Sequence, residues 1–177
     1  MLIREGSWYR MPIRVAILTV SDKGAAGQRE DLSGPAVREM LASLQPDIVA
    51  AEVVPDDRQQ IAGRLVYYSD VLNCDLVLTT GGTGFSPRDV TPEATLDIIH
   101  RPVPGIPEAM RAAGLAQTPM AMISRAAAGI RNRTLIINLP GSPRAVRENL
   151  ETILPVLPHA LEILSGQGGE CGTKASQ

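Results

Sequence analysis

The sequence predicts an α/β fold: a three-layer α/β/α sandwich built on a mostly parallel sheet, with a small antiparallel hairpin attached. Three observations carry this expectation. Apolar runs of strand character alternate with segments of helical period along the chain. Parallel strands need crossovers, and crossover helices pack on the sheet. The first run, Arg14 to Val20, is nearly continuous in apolar character and rich in β-branched residues, as a strand covered on both faces is. Further on, a polar Arg-Asn-Arg separates two segments, the second of which, Thr134 to Leu139, is the strongest strand of the chain.

After the first strand, which ends on Ser21 and Asp22, comes a glycine-punctuated loop and a helix. Ser33 is its expected cap, and Val37, Met40, Leu41 and Leu44 form its apolar stripe. Asp47 to Val54 is the second strand, ending before Asp56 and Asp57. Ile61, Leu65, Tyr68 and Leu72 trace the next helix. Cys74 to Thr80 is the third strand. Two short helices follow, one capped by Thr91 with Pro92 in its first turn, the other around 107–114. Beyond the hairpin, Ser142 and Pro143 open a long helix that Pro155 should break or kink before a last segment, 159–164.

Length and composition set limits. A chain of 177 residues, 44% hydrophobic and 20% charged, fits one globular domain. We expect that domain at 14–165, with a flexible N-terminal extension at 1–13 and a flexible tail at 166–177. A net charge of −2 with one Trp, three Tyr and one Phe offers neither a basic footprint nor stacking surface, so no nucleic-acid partner is expected. No run approaches a membrane span and the opening residues lack a signal-peptide centre, so no membrane association and a cytoplasmic location are expected. Cys74 and Cys171 fit no metal-ligand spacing and are expected to be reduced.

In open α/β sheets ligands bind beyond the carboxyl ends of the strands. Here four such ends carry small, polar or acidic residues: Ser21 and Asp22, Asp56 and Asp57, Gly81 to Gly84, and Pro140 to Ser142. If the strands are parallel, all four meet at one edge. Glycines at Gly-Gly-Thr-Gly let the backbone turn its N–H groups into a concavity for an anion. A helix opening at Ser142 presents free N–H groups to a second anion. Each cluster also reads as a plain strand-to-helix turn. There is no Gly-x-x-x-x-Gly-Lys-Ser/Thr and no Gly-x-Gly-x-x-Gly after the first strand, so neither common nucleotide fold fits. His100 and His159 lie away from the strand ends, which leaves a nucleophile without a base. Asp56 and Asp89 remain, the ingredients of magnesium-assisted phosphoryl or nucleotidyl transfer. Two plainer roles stay open: Asp56 capping the next helix, and Asp89 pairing with Arg88 or capping a turn.

The segments TVSDKGAAGQREDLSGP, VVPDD, LTTGGTGFSPRDVTPEAT and SRAAAGIRNRTLIINLPGSPRAVRE, in this order, resemble the molybdopterin adenylyltransferase family, whose members include the G-domains of gephyrin-type proteins. The resemblance runs from about Arg14 to Leu164. It implies an enzyme, usually a homotrimer, that uses MgATP to adenylylate the terminal phosphate of molybdopterin and releases pyrophosphate, ahead of a molybdenum insertase. It implies Asp56 and Asp89 as catalytic residues and ligands of Mg2+. Ser21, Gly81, Gly82, Thr83 and Gly84 would lie around the nucleotide, and Ser124, Arg125, Pro140, Gly141 and Ser142 near the phosphates or pterin. Asp57 stands where the family usually carries glutamate and is left out of that set. A molybdopterin-binding module with little catalysis is the alternative; the less active branch often loses the arginine of RDVTPE and the asparagine of NLPG, and this chain retains Arg88, Asp89 and Asn138.

Overall fold

The computed structural model describes residues 12–166. The expected extension and tail therefore fall almost wholly outside the described residues. The elements in chain order are β1 (Arg14–Val20), α1 (Asp22–Ala25), α2 (Ser33–Met40), β2 (Asp47–Val54), α3 (Arg58–Val66), β3 (Leu76–Thr80), α4 (Thr91–Leu96), β4 (Arg101–Pro102), α5 (Gly105–Leu115), β5 (Ala128–Arg131), β6 (Thr134–Leu139), α6 (Pro143–Ile153) and α7 (Leu157–Leu164).

Alternation along β1 sets the layers. Val15 and Ile17 join α2, α5, α6 and α7 in one core through Val37, Met110, Val146, Leu150 and Leu157. Ala16, Leu18 and Val20 point the other way, to Ile61, Leu65 and Tyr68 on the α3 side and Ala94 of α4. A strand buried on both faces has no polar side to show, which is why its sequence is continuous in apolar residues. The sheet has six strands in the order β2-β1-β3-β6-β5-β4. β2, β1, β3 and β6 are mutually parallel, and β5 and β4 are antiparallel additions. This is the three-layer, mostly parallel arrangement that the sequence predicts. The hairpin turns at Asn132, whose φ of 51° asparagine tolerates better than most residues.

Several local expectations change. Ser33 does not cap α2; the carboxylate of Asp31 accepts from the Ser33 N–H and Oγ and from the Gly34 N–H, each at 3.0 Å. Thr91 does not cap α4; it lies within the first turn and its hydroxyl donates to the Gly81 carbonyl at 2.9 Å. The segment before β5 is a 3-10 turn, Pro119–Ile123, and β4 pairs with β5 without a clear signal in its two residues, one a proline. Pro155 does interrupt the last helix, between α6 and α7.

The winding reverses at β1. From β1 the chain crosses by α2 to β2 on one side, then returns by α3 to β3 on the other. That reversal opens a crevice between the carboxyl ends of β1 and β3, the place where doubly wound sheets hold ligands.

Candidate functional site

Glycine chemistry shapes the floor of the crevice. Gly81 has φ +98°, and a Cβ there would stand 2.3 Å from the Val20 carbonyl oxygen at the end of β1. Gly82 has φ +64°, and its Cβ would meet the Thr91 hydroxyl at 2.3 Å and Asp56 Oδ1 at 3.1 Å. A side chain at either position would be strained in conformation and blocked in space. Gly141, in the turn after β6, would place a Cβ 3.3 Å from the Gly81 Cα, so the two glycine turns rest on each other. The Gly81 N–H continues the sheet by donating to Leu139 O at 3.1 Å. Among the described residues no protein acceptor takes the N–H groups of Gly82, Thr83 or Gly84. Ser142 caps α6, its Oγ accepting from the Ala145 N–H at 3.2 Å, and Thr80 Oγ1 fixes the turn before it by donating to Pro140 O at 2.7 Å.

Two acidic loops lock together above this floor. The Asp22 N–H donates to Asp56 Oδ2 at 2.8 Å, and the Asp56 N–H donates to Asp22 Oδ1 at 3.0 Å. Arg88 reaches across from the third loop and grips Asp22 with two bonds, at 3.0 and 2.9 Å. Burial pushes the Asp56 carboxyl above the usual aspartate range; the N–H of Asp22 opposes this, while the charges of Asp22 and Asp89 add to it. Asp22 moves the other way, held low by the Arg88 hydrogen bonds and the Asp56 N–H. Asp56 is thus not a helix cap; Asp57 caps α3 instead, accepting from the Gln60 N–H at 2.8 Å. Nor does Asp89 pair with Arg88. It caps its own turn, Oδ2 accepting from the Ser86 N–H at 3.0 Å.

A cavity of about 680 Å³ occupies the crevice. Seven of the expected residues line it: Ser21, Asp56, Gly81, Gly82, Asp89, Gly141 and Ser142. A second cavity, about 530 Å³, lies between α5 and α6 and is lined by Ser124, Pro140 and, shared with the first, Ser142. Thr83, Gly84 and Arg125 line neither. Thr83 is buried, and its carbonyl accepts from the Arg125 N–H at 2.9 Å. The Arg125 guanidinium is spent on protein groups: Gly84 O, Asp89 O and the Glu93 carboxylate.

Some lining residues carry no signal that the sequence reading used. Arg29 and Asp31 border the first cavity from the loop before α2. Asp31 also accepts from Thr19 Oγ1 at 2.7 Å. Although burial works against it, the bonds from Gly34, Thr19 and Ser33 hold its carboxyl below the usual range. An acidic residue two positions before a helix start was the available cue. Arg111 and Arg144 bring positive charge to the second cavity, and nothing in their helical surroundings sets them apart in sequence.

The donor set suits magnesium better than a softer metal. Asp56 Oδ1 and Asp89 Oδ1 accept no hydrogen bond from the described residues, and both carboxylates border one cavity. Among the described residues no three His, Cys, Asp or Glu form a self-contained metal cluster. Two carboxylates supplemented by substrate phosphates are a common magnesium arrangement.

Residues 16–159 match a family described as a probable molybdopterin binding domain. The chain is 44% identical over 156 residues to a molybdopterin adenylyltransferase of Helicobacter pylori, covering 87% of this chain and 89% of that one. It is 42% identical to gephyrin of Dictyostelium discoideum over 86% of this chain, which corresponds to 23% of that longer protein. Among solved structures it resembles the molybdopterin biosynthesis enzyme MoaB from Thermus thermophilus, at 54% identity and a TM-score of 0.83, with 87% of this chain and 97% of that one covered.

Proposed function

The chain belongs to the molybdopterin-binding-domain family, and from that premise we propose that it is a molybdopterin adenylyltransferase of molybdenum cofactor biosynthesis, taking ATP and molybdopterin as substrates. The observation that carries the reading is the crevice where the winding reverses. Two interlocked glycine turns and the carboxylates of Asp56 and Asp89 border one cavity there, and Ser142 joins it to a second. Two adjoining spaces that can each receive an anion suit a reaction between two phosphorylated molecules.

In this reading the first cavity takes the nucleotide, with its phosphates over the glycine turn at Gly81 and Gly82, where the Gly82 N–H has no protein acceptor among the described residues. The second takes molybdopterin, with its phosphate directed to the N-terminus of α6 and the arginines nearby. A phosphate oxygen of molybdopterin attacks the α-phosphorus of ATP; that P–O bond forms as the bond to the β-phosphate bridge breaks, and pyrophosphate leaves. Asp56 and Asp89 would hold Mg2+, which neutralises charge on the transferring phosphates. The protein itself supplies orientation. Asp22 and Arg88 fix the Asp56 loop, and the glycines let the turns after β3 and β6 pack against each other and against β1 at the floor of the crevice.

A homotrimer and a cytoplasmic location belong to the same proposal, as does an insertase partner. The described residues hold no helix long and apolar enough to cross a membrane. The relation to a longer gephyrin supports the partner. Incubating the purified protein with MgATP and molybdopterin and following pyrophosphate tests the reaction. Release that depends on the pterin is expected; tight pterin binding without release would turn the assignment to a binding module.

A further inference from the structure

Resting on the adenylyl-transfer reading, we propose that Arg125 is a positioning residue: its guanidinium clamps the loop that carries Asp89 instead of contacting a substrate phosphate. The loop from Gly84 to Asp89 has little apolar anchorage before Val90 meets the core; Phe85, within it, is 69% exposed. Hydrogen bonds must hold it. Arg125 supplies three from one side chain. Nε donates to Gly84 O at 2.7 Å, one terminal nitrogen to Asp89 O at 2.5 Å, and the other to the Glu93 carboxylate in the first turn of α4. Its own N–H adds a bond to Thr83 O. Both ends of the loop and the first turn of α4 behind it are thereby tied to one planar group, while the Asp89 side chain borders the cavity.

A guanidinium presents three separate nitrogens in one plane to two carbonyls and a carboxylate, whereas an ammonium directs its three donors from a single nitrogen and cannot span the same acceptors. A phosphate contact makes the opposite demand, since lysine binds phosphate well as a point charge. Arg125→Lys therefore separates the two roles. The experiment measures kcat and KM for MgATP in pyrophosphate release by the full chain, together with amide hydrogen exchange at Ser86 and Asp89. The Asp89 N–H donates to Ser86 O at 2.9 Å inside the loop.

Arg125→Lys and Arg125→Ala should lose kcat equally, by about tenfold or more as misplacement of a catalytic group does, with KM near that of the unaltered chain. Exchange at both amides should quicken in both. Near-full kcat in the lysine variant, with nucleotide affinity lost only in the alanine variant, overturns the clamp in favour of an anion contact; so does unchanged exchange. Glu93→Gln covers a failure of Arg125→Lys to fold. It should lower kcat at constant KM and quicken exchange, and no change in either overturns the proposal. If the unaltered chain releases no pyrophosphate, the functional reading fails, and the exchange data still decide whether Arg125 holds the loop.

Discussion

Replacing Gly82 by alanine probes the packing of the crevice with one methyl group. At φ +64° a non-glycine residue costs about 1–2 kcal/mol. The added carbon would stand 2.3 Å from the Thr91 hydroxyl, which is itself held by the Gly81 carbonyl and fully buried. It would also stand 3.3 Å from a Val20 methyl, so no free side-chain end can yield cheaply. Forcing such an insertion costs about 1–3 kcal/mol more. A total of about 2–5 kcal/mol corresponds, for a domain of this size, to a fall in Tm of roughly 4–20 °C. Motif chemistry alone would make nucleotide affinity the larger loss, because it treats the turn as open to the ligand. The packing makes stability the larger one. Thermal unfolding by circular dichroism and ATP titration of the same variant decide between them. A Tm within about 2 °C of the unaltered chain, with ATP binding abolished, would refute the packing argument.

Three further outcomes follow from the site. Asp89→Asn keeps an acceptor for the Ser86 N–H but loses the charged oxygen; turnover should fall about a hundredfold, roughly 2.7 kcal/mol, with Tm and molybdopterin affinity little changed, as steady-state kinetics and titration will measure. Asp56 has its folded pKa raised, so ionising it at neutral pH costs native stability, and that cost fades as pH falls through the folded pKa. Asp56→Asn should thus be inactive yet at least as stable as the unaltered chain at pH 7, its advantage shrinking in acid; unfolding curves across pH that show a lower Tm at neutrality would contradict this. Asn138→Ala removes a fully buried amide that binds Thr79 Oγ1 at 3.0 Å, Thr95 Oγ1 at 2.9 Å and the Ala127 N–H at 3.1 Å. It should cost about 2–4 kcal/mol in a denaturant melt.

What could be seen in the sequence were features that one segment declares by itself. The doubly buried strands betray themselves because β1, β3 and β6 are mostly apolar along both faces, and Pro155, in the interior of a segment of helical period, interrupts the helix. The four parallel strand ends could be listed from turn chemistry, and the parallel order then brings them together. Pairings between distant segments were not legible. Whether Arg88 meets Asp89 beside it or Asp22, 66 positions away, depends on how two loops cross, and the structure chooses Asp22. Arg125 looks like an anion ligand in any list of basic residues near glycines, and only three-dimensional contacts show its donors already engaged. Thr91 illustrates a competition between local and tertiary bonding. Its hydroxyl could have capped α4, but the Gly81 carbonyl, brought close by a glycine turn, takes it instead.

The central claim is that the crevice between β1 and β3 transfers an adenylyl group and does more than hold two ligands. ATP labelled in its α-phosphate, given to the purified chain with magnesium and molybdopterin, tests this most directly. Label should move onto the pterin in equal amount to the pyrophosphate released. Tight binding of both substrates with the label remaining in ATP would contradict it.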